Sequence, residues 1–197
     1  MEGIKTLNLK LVGMPGSPLV VHAFAEKAKA EIREKQAKKA KKAKEQRDPH
    51  AEYLAARYVD QEGRECVPIT APKKAMVTAG TAMDNITKVA IRQAIFLAPT
   101  LAPASMLVPI ERKDGSLATG VMREDAVTIG INTRGLTYRP AYEDWSLRVT
   151  AEFNPRLLSR EQVVALAEQA GWGVGICEGR PERTSALGWG RFSVEVL

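Results

Sequence analysis

The chain has 197 residues, 45% hydrophobic and 26% charged, with 29 basic and 23 acidic residues for a net charge of +6. This is a globular composition, which excludes wholesale disorder and supplies one core, or one core with an appended arm. No apolar run approaches the roughly 20 residues that cross a bilayer, and Met1-Glu2-Gly3-Ile4-Lys5 does not open a secretory leader, so neither a membrane partner nor export is expected.

Thr6 to Val12 alternates, with Leu7, Leu9 and Leu11 on one face and Asn8 and Lys10 on the other, which predicts a half-buried strand. Gly13 to Pro18 breaks it, and Leu19-Val20-Val21 leads into a basic stretch. Glu26 to Arg47 holds ten basic and four acidic residues, which is the whole net charge of the chain. Good helix formers dominate it, and Ile32 is its only large apolar residue, so it has no stripe to bury. We read residues 25–50 as a basic helical or mobile arm inserted after the first strand of a single domain spanning 1–197. Its lysines, Lys38, Lys39, Lys41 and Lys42 among them, suit phosphates as partners; a solvated helix with no partner is the plainer alternative.

Ala51 to Tyr58 reads as a helix, Asp60 to Gly63 as a turn, and Cys66 to Ile69 as an extended piece. Thr70-Ala71-Pro72 resembles a helix start with a hydroxyl cap, and the helix is expected to run from about Pro72 to Met83. Ile86 to Leu97 fits helix or strand. Lys113-Asp114-Gly115 is a turn. Val127, Ile129 and Ile131 alternate, as do Trp145, Leu147, Val149, Ala151 and Phe153. Ser159 and Gln162 predict a capping box for a helix with Val163, Leu166, Ala167 and Ala170 on its buried face, ending at Gly171. Val174 to Ile176 and Phe192 to Val196 read as two further strands. A helix between strands is a βαβ-type unit, and the simplest whole is α+β: a ferredoxin-like, antiparallel or mixed sheet with helices on one side.

Six of the chain's 15 glycines fall between Gly171 and Arg191, beside Trp172, Trp189, Arg180, Arg183 and Arg191. Glycines such as Gly179, Gly188 and Gly190 let backbone amides approach an anion; arginine adds bidentate phosphate contacts, and tryptophan adds a stacking plane. That combination suits a single-stranded polynucleotide. The alternative is a hairpin whose glycines relieve crowding. No phosphate loop ending in Lys-Ser or Lys-Thr is present, and Gly171-x-Gly173-x-Gly175 follows a helix rather than a strand, against a dinucleotide fold. Two distant cysteines, Cys66 and Cys177, and two histidines, His22 and His50, offer no zinc spacing, so no metal or other cofactor is expected and a reducing cytoplasm is the simplest compartment.

Three segments together resemble the RAMP superfamily, the RNA-binding proteins of CRISPR effector backbones. They are Gly16-Ser17-Pro18-Leu19-Val20-Val21 after the first strand, the strand-to-helix segment Val67 to Met76, and the glycine loop with last strand, Thr184 to Val194. The middle segment departs from the family pattern at Ile69, Ala71 and Pro72. The start Ser17-Pro18-Leu19-Val20-Val21-His22 is also similar to that of small phage proteins, so the chain is read as a phage-encoded, RAMP-like offshoot in a host cytoplasm. The resemblance implies an RRM-like core, oligomerisation along a nucleic acid, and backbone contacts from the glycine loop and from the helix near Pro72, with Lys73 and Lys74 at its start.

Some RAMP proteins cleave RNA with a histidine after the first strand, and His22 falls near that place. Tyr53, Tyr58 and Lys27 are partners by type only, and a lone His after an apolar strip is more often structural. The favoured expectation is a non-catalytic, sequence-tolerant, multimeric binder of single-stranded RNA or DNA, with Lys73, Lys74, Arg180, Arg183, Trp189, Arg191 and the arm lysines in contact. The alternatives are a phage structural or assembly protein, and a processing ribonuclease centred on His22.

Overall fold

The structure, a computed structural model, describes residues 3–23, 47–84, 86–129, 133–183 and 187–197. Strand β1 (Lys5–Gly13) follows from its alternation: Leu7, Leu9 and Leu11 are buried, while Asn8 is exposed. It pairs antiparallel on both sides, Leu9 facing Val149 of β9 (Ser146–Phe153) and Val196 of β10 (Phe192–Val196). With β5 (Ile95–Pro99) on the far side of β9, the sheet order is β10-β1-β9-β5, and all neighbours are antiparallel. Two smaller antiparallel sheets complete the described strands. One joins β2 (Leu19–Val20), β8 (Thr133–Tyr142) and β7 (Val121–Ile129); the other joins β3 (Tyr58–Val59), β4 (Glu65–Pro68) and β6 (Leu107–Pro109). The protein is α+β.

Four helices stand among the described residues: α1 (Pro49–Ala55), α2 (Thr70–Ala79), α3 (Lys88–Ala94) and α4 (Arg160–Gln169). The connections β1 to β5 and β9 to β10 both carry helices. Met76 of α2 and Val163, Leu166 and Ala167 of α4 join the strands' buried side chains in one core, around Trp145 and Phe192. The expected capping box of α4 is present: Gln162 N–H donates to Ser159 Oγ at 3.2 Å, and Ser159 N–H donates to Gln162 Oε1 at 2.8 Å. The sheet's other side is polar along its centre, with exposed Phe96 at the edge strand β5. Its two central strands present Asn8, Lys10, Arg148 and Thr150, with Thr150 Oγ1 2.9 Å from Asn8 Oδ1 and Lys10 Nζ donating to the Lys113 carbonyl at 2.8 Å.

Several expectations need correction. The helix expected over Ala51–Tyr58 starts at Pro49, after the Asp48 cap, and ends at Ala55, because Tyr58 belongs to β3. The helix expected at Pro72–Met83 begins at Thr70 and passes into a 3-10 turn at Gly80–Ala82; its N-cap is Ile69, and Thr70 does not cap it. Ile86–Leu97 is helix and strand in succession, α3 then β5. Gly171 does not end α4. The chain continues through a π-helical turn, Ala170–Val174, closed by Gly175 N–H donating to the Ala170 carbonyl at 2.8 Å. Val174 to Ile176 is therefore not a strand, and the described residues of the glycine-rich segment form no paired strands.

Candidate nucleic-acid interface

Beyond β2 the described chain runs Val21-His22-Ala23. Across from it lie the first turn of α2 and the loop 175–182, and between them is a cleft of about 310 Å³. Thr70, Ala71 and Lys74 line it from α2; the spacing from Thr70 to Lys74 is one helical turn, which puts both on one face. The α2 N-terminus has no side-chain cap, so the positive end of its dipole faces the cleft. Glu178, Arg180 and Glu182 line the opposite wall. Arg180 Nε donates to Glu182 Oε2 at 2.9 Å and its Nη1 to the Cys177 carbonyl at 2.8 Å, and Glu178 accepts from Arg139 at 3.5 Å. The wall's acids thus have arginine partners, whereas exposed Lys74 has no ion pair among the described residues.

Behind this wall runs a chain of charge. Arg123 lies over the Trp189 ring, 4.4 Å from its centroid, and donates to Asp125 at 2.7 Å. Asp125 also accepts from buried Arg139 at 2.8 Å, and Arg139 reaches Glu178. The network ties the β7–β8 ribbon to the loop that forms the cleft.

Each residue singled out in the sequence has a definite place. Lys74, Arg180 and His22 converge on the cleft. Lys73, next to Lys74, turns the other way: its Nζ donates to the Ile91 and Ile95 carbonyls at the C-terminal end of α3 and lies 5.6 Å from the centroid of the Phe96 ring. Burial pulls this amine down to about 8. Lys73 therefore closes a helix end and does not serve as a free phosphate ligand. Arg183 is exposed on the same loop as Arg180. Trp189 is half-buried, with Gly179 packed against its indole in addition to Arg123, so it is not an open plane. Arg191 stacks on Trp172 at 4.3 Å from the ring centroid. Lys27, Lys38, Lys39, Lys41 and Lys42, like Thr184, Ser185 and Ala186, lie outside the described residues.

The glycine loop is a correction of its own, because many of its amides are already used. Gly190 N–H donates to the Pro18 carbonyl at 2.9 Å, Trp189 N–H to Gly179 at 3.1 Å, and Arg191 N–H to Ser17 Oγ at 2.7 Å. Gly190 is glycine because its φ is +65° and a Cβ would overlap the Ile176 carbonyl; at Gly188, with φ +64°, a Cβ would meet only Arg191 Cδ at 3.9 Å. The segment is built for close backbone packing, and its side chains carry what it offers to a ligand. Sequence reasoning left Trp172 out of the contact set, although it is 62% exposed.

For catalysis, the structure brings Tyr58 to the cleft with His22 but not Tyr53, whose hydroxyl donates to the Gly120 carbonyl at 2.6 Å. Burial lowers the His22 pKa, against the pull of Glu178, so the imidazole is neutral at pH 7. Cys177 also lines the cleft at a left-handed φ of 61°, and burial pushes its thiol up to about 12, which leaves no thiolate to attack. No group of three metal-ligating side chains stands together among the described residues, and none of their helices is long and apolar enough to cross a membrane. No known protein family and no curated protein matches the chain.

Proposed function

We propose that the protein is a non-catalytic, sequence-tolerant binder of single-stranded nucleic acid that multimerises along the strand. One observation carries the reading. The segment that holds the entire net charge of +6 follows in sequence directly after His22, which lines the cleft with Lys74, Arg180 and the first turn of α2. Its roots are fixed: Ala23 N–H donates to the Ala56 carbonyl at 2.8 Å, and Arg47 grips Glu52 with two bonds of 2.7 Å and the Leu136 carbonyl with a third. The lysines of residues 26–47 attract a polyanion by charge, and at the cleft Lys74 and the helix dipole favour phosphate. The sheet order β10-β1-β9-β5, with helix-bearing connections, supports the RRM-like part of the RAMP resemblance. The outer sheet face does not support RRM-style stacking, since its central strands present no aromatic ring.

The test is a mobility-shift series with single- and double-stranded RNA and DNA at about 50 mM and about 300 mM salt. Expected is binding to single strands that weakens steeply with salt and is reduced in Lys74→Ala. Equal affinity at both salt levels, or no binding, overturns the proposal; ordered multimers free of nucleic acid would favour a phage assembly role instead. A second reading, RNA processing by His22, draws on neutral His22, Tyr58 and Lys74 sharing one cleft. RNA cleavage abolished by His22→Ala supports it, and cleavage unchanged in that variant eliminates it.

A further inference from the structure

Of the chain's three tryptophans, Trp145 is fully buried and Trp189 is covered by Arg123 and Gly179, whereas Trp172 is 62% exposed. An exposed indole is informative because burial is the usual fate of so large an apolar surface. It is also held firmly. Trp172 sits in the π-helical turn Ala170–Val174, a geometry that recurs at functional sites. Gly171 beneath it is packed against the Phe192 backbone, and the Trp172 carbonyl accepts from Arg191 Nε at 3.0 Å. The Arg191 guanidinium lies over the ring at 4.3 Å and has no carboxylate partner among the described residues. Its backbone N–H is fixed by Ser17, so ring and cation form one preset stack.

We infer that the Trp172–Arg191 stack is a nucleobase-binding site: one unpaired base lies on the exposed indole while Arg191 contacts the adjoining phosphate. This rests on the single-strand reading above and adds the base contact which that reading lacks. Three observations select a base rather than a protein surface. Within the turn the indole has no apolar surround, since Ala170 and Val174 are buried and Gly171 and Gly173 have no side chain, so the turn itself builds no apolar patch of protein-interface size. Gly188 adds no side chain next to Arg191: a Cβ there would meet only Arg191 Cδ, at 3.9 Å. The arginine's charge is unspent, which suits a ligand that brings phosphate with its ring.

The experiment compares a thymidine homo-oligonucleotide with an abasic oligonucleotide of equal length, using the full chain. Expected are quenching of the solvent-exposed tryptophan emission by the base-bearing strand alone and tighter binding of that strand. Trp172→Ala should weaken binding of the base-bearing strand by roughly 5- to 150-fold, leave abasic affinity unchanged, and be largely rescued by Trp172→Phe. Equal binding of both oligonucleotides, or a base-bearing strand that binds without quenching, overturns the stacking site and leaves the phosphate reading standing. If neither strand binds, both readings fall. The quenching measurement needs no variant, so it decides the matter even if Trp172→Ala does not fold.

Discussion

Glu65 is 8% exposed and serves three partners as a carboxylate. Its Oε2 accepts from the Tyr142 hydroxyl and from Gly120 N–H, each at 2.7 Å, and its Oε1 pairs with Arg57 at 2.9 Å. Removing it strands a phenol, an amide and a partly buried guanidinium together. Glu65→Ala should cost about 3 kcal/mol, and Tyr142→Phe, which deletes one neutral donor, about 1 kcal/mol, both readable by urea denaturation. The ionisable groups give a pH signature as well. Burial pushes the Cys66 and Cys177 thiols up to about 12 from 9.0, and the Tyr53 and Tyr142 phenols also upward. Because the unfolded chain loses these protons first, their stabilisation is whole below pH 9 and is lost as pH climbs toward 12. Lys73 has the opposite sign: its native value of about 8 lies below 10.5, so it adds stability between those limits. The melting temperature should therefore rise slightly between about pH 8 and 9, fall gently up to pH 10.5 and fall steeply beyond. In Lys73→Met the early rise should vanish and the decline from pH 9 should be steeper, and a flat profile to pH 12 would refute the assignment.

Among the elements, the loop closing onto β10 makes the sharpest prediction. Gly190→Ala forces a side chain into the Ile176 carbonyl at φ +65° and should cost about 3 kcal/mol, while Gly188→Ala, with nearly the same φ but only an ordinary contact to Arg191 Cδ, should cost about 1 kcal/mol. Similar losses for both in thermal denaturation would show that the backbone angle, not the packing, governs this loop. The sequence reveals such elements only where one physical signal dominates. Leu7-Leu9-Leu11 and the β9 alternation dominate their segments, and the Ser159–Gln162 box is a local hydrogen-bond pair, so all three are legible. Thr133–Tyr142 contains Gly135, Pro140 and a buried Arg139 and shows no clean alternation; β8 exists through its register with β7 and the Arg139 ion pairs, which are contacts distant in sequence. Val174 and Ile176 alternate like a strand, yet a π turn and Gly175 set their backbone. At the site, nothing local separates Lys73 from Lys74 or Trp172 from Trp189. Helical phase and neighbours decide which cation closes a helix end and which indole meets water.

At the scale of the whole molecule, charge and core are segregated. The body outside Glu26–Arg47 is neutral overall, so its attraction for a polyanion has to come mainly from that one segment. If Lys38, Lys39, Lys41 and Lys42 each displace one counterion from a single strand, changing all four to Gln should reduce the slope of log affinity against log salt by about 3. An unchanged slope in titrations at several salt concentrations would move the electrostatic contact to the cleft. The core itself is knitted from distant parts of the chain. Leu9 lies between Val149 and Val196, so the strand made first is flanked by strands made last. During synthesis its leucines wait on the ribosome with both edges unclaimed, and the central sheet can close only after nearly every residue has emerged. Such non-local pairing implies slow folding, and loss of Phe192–Val196 would leave β1 open along one side to self-association.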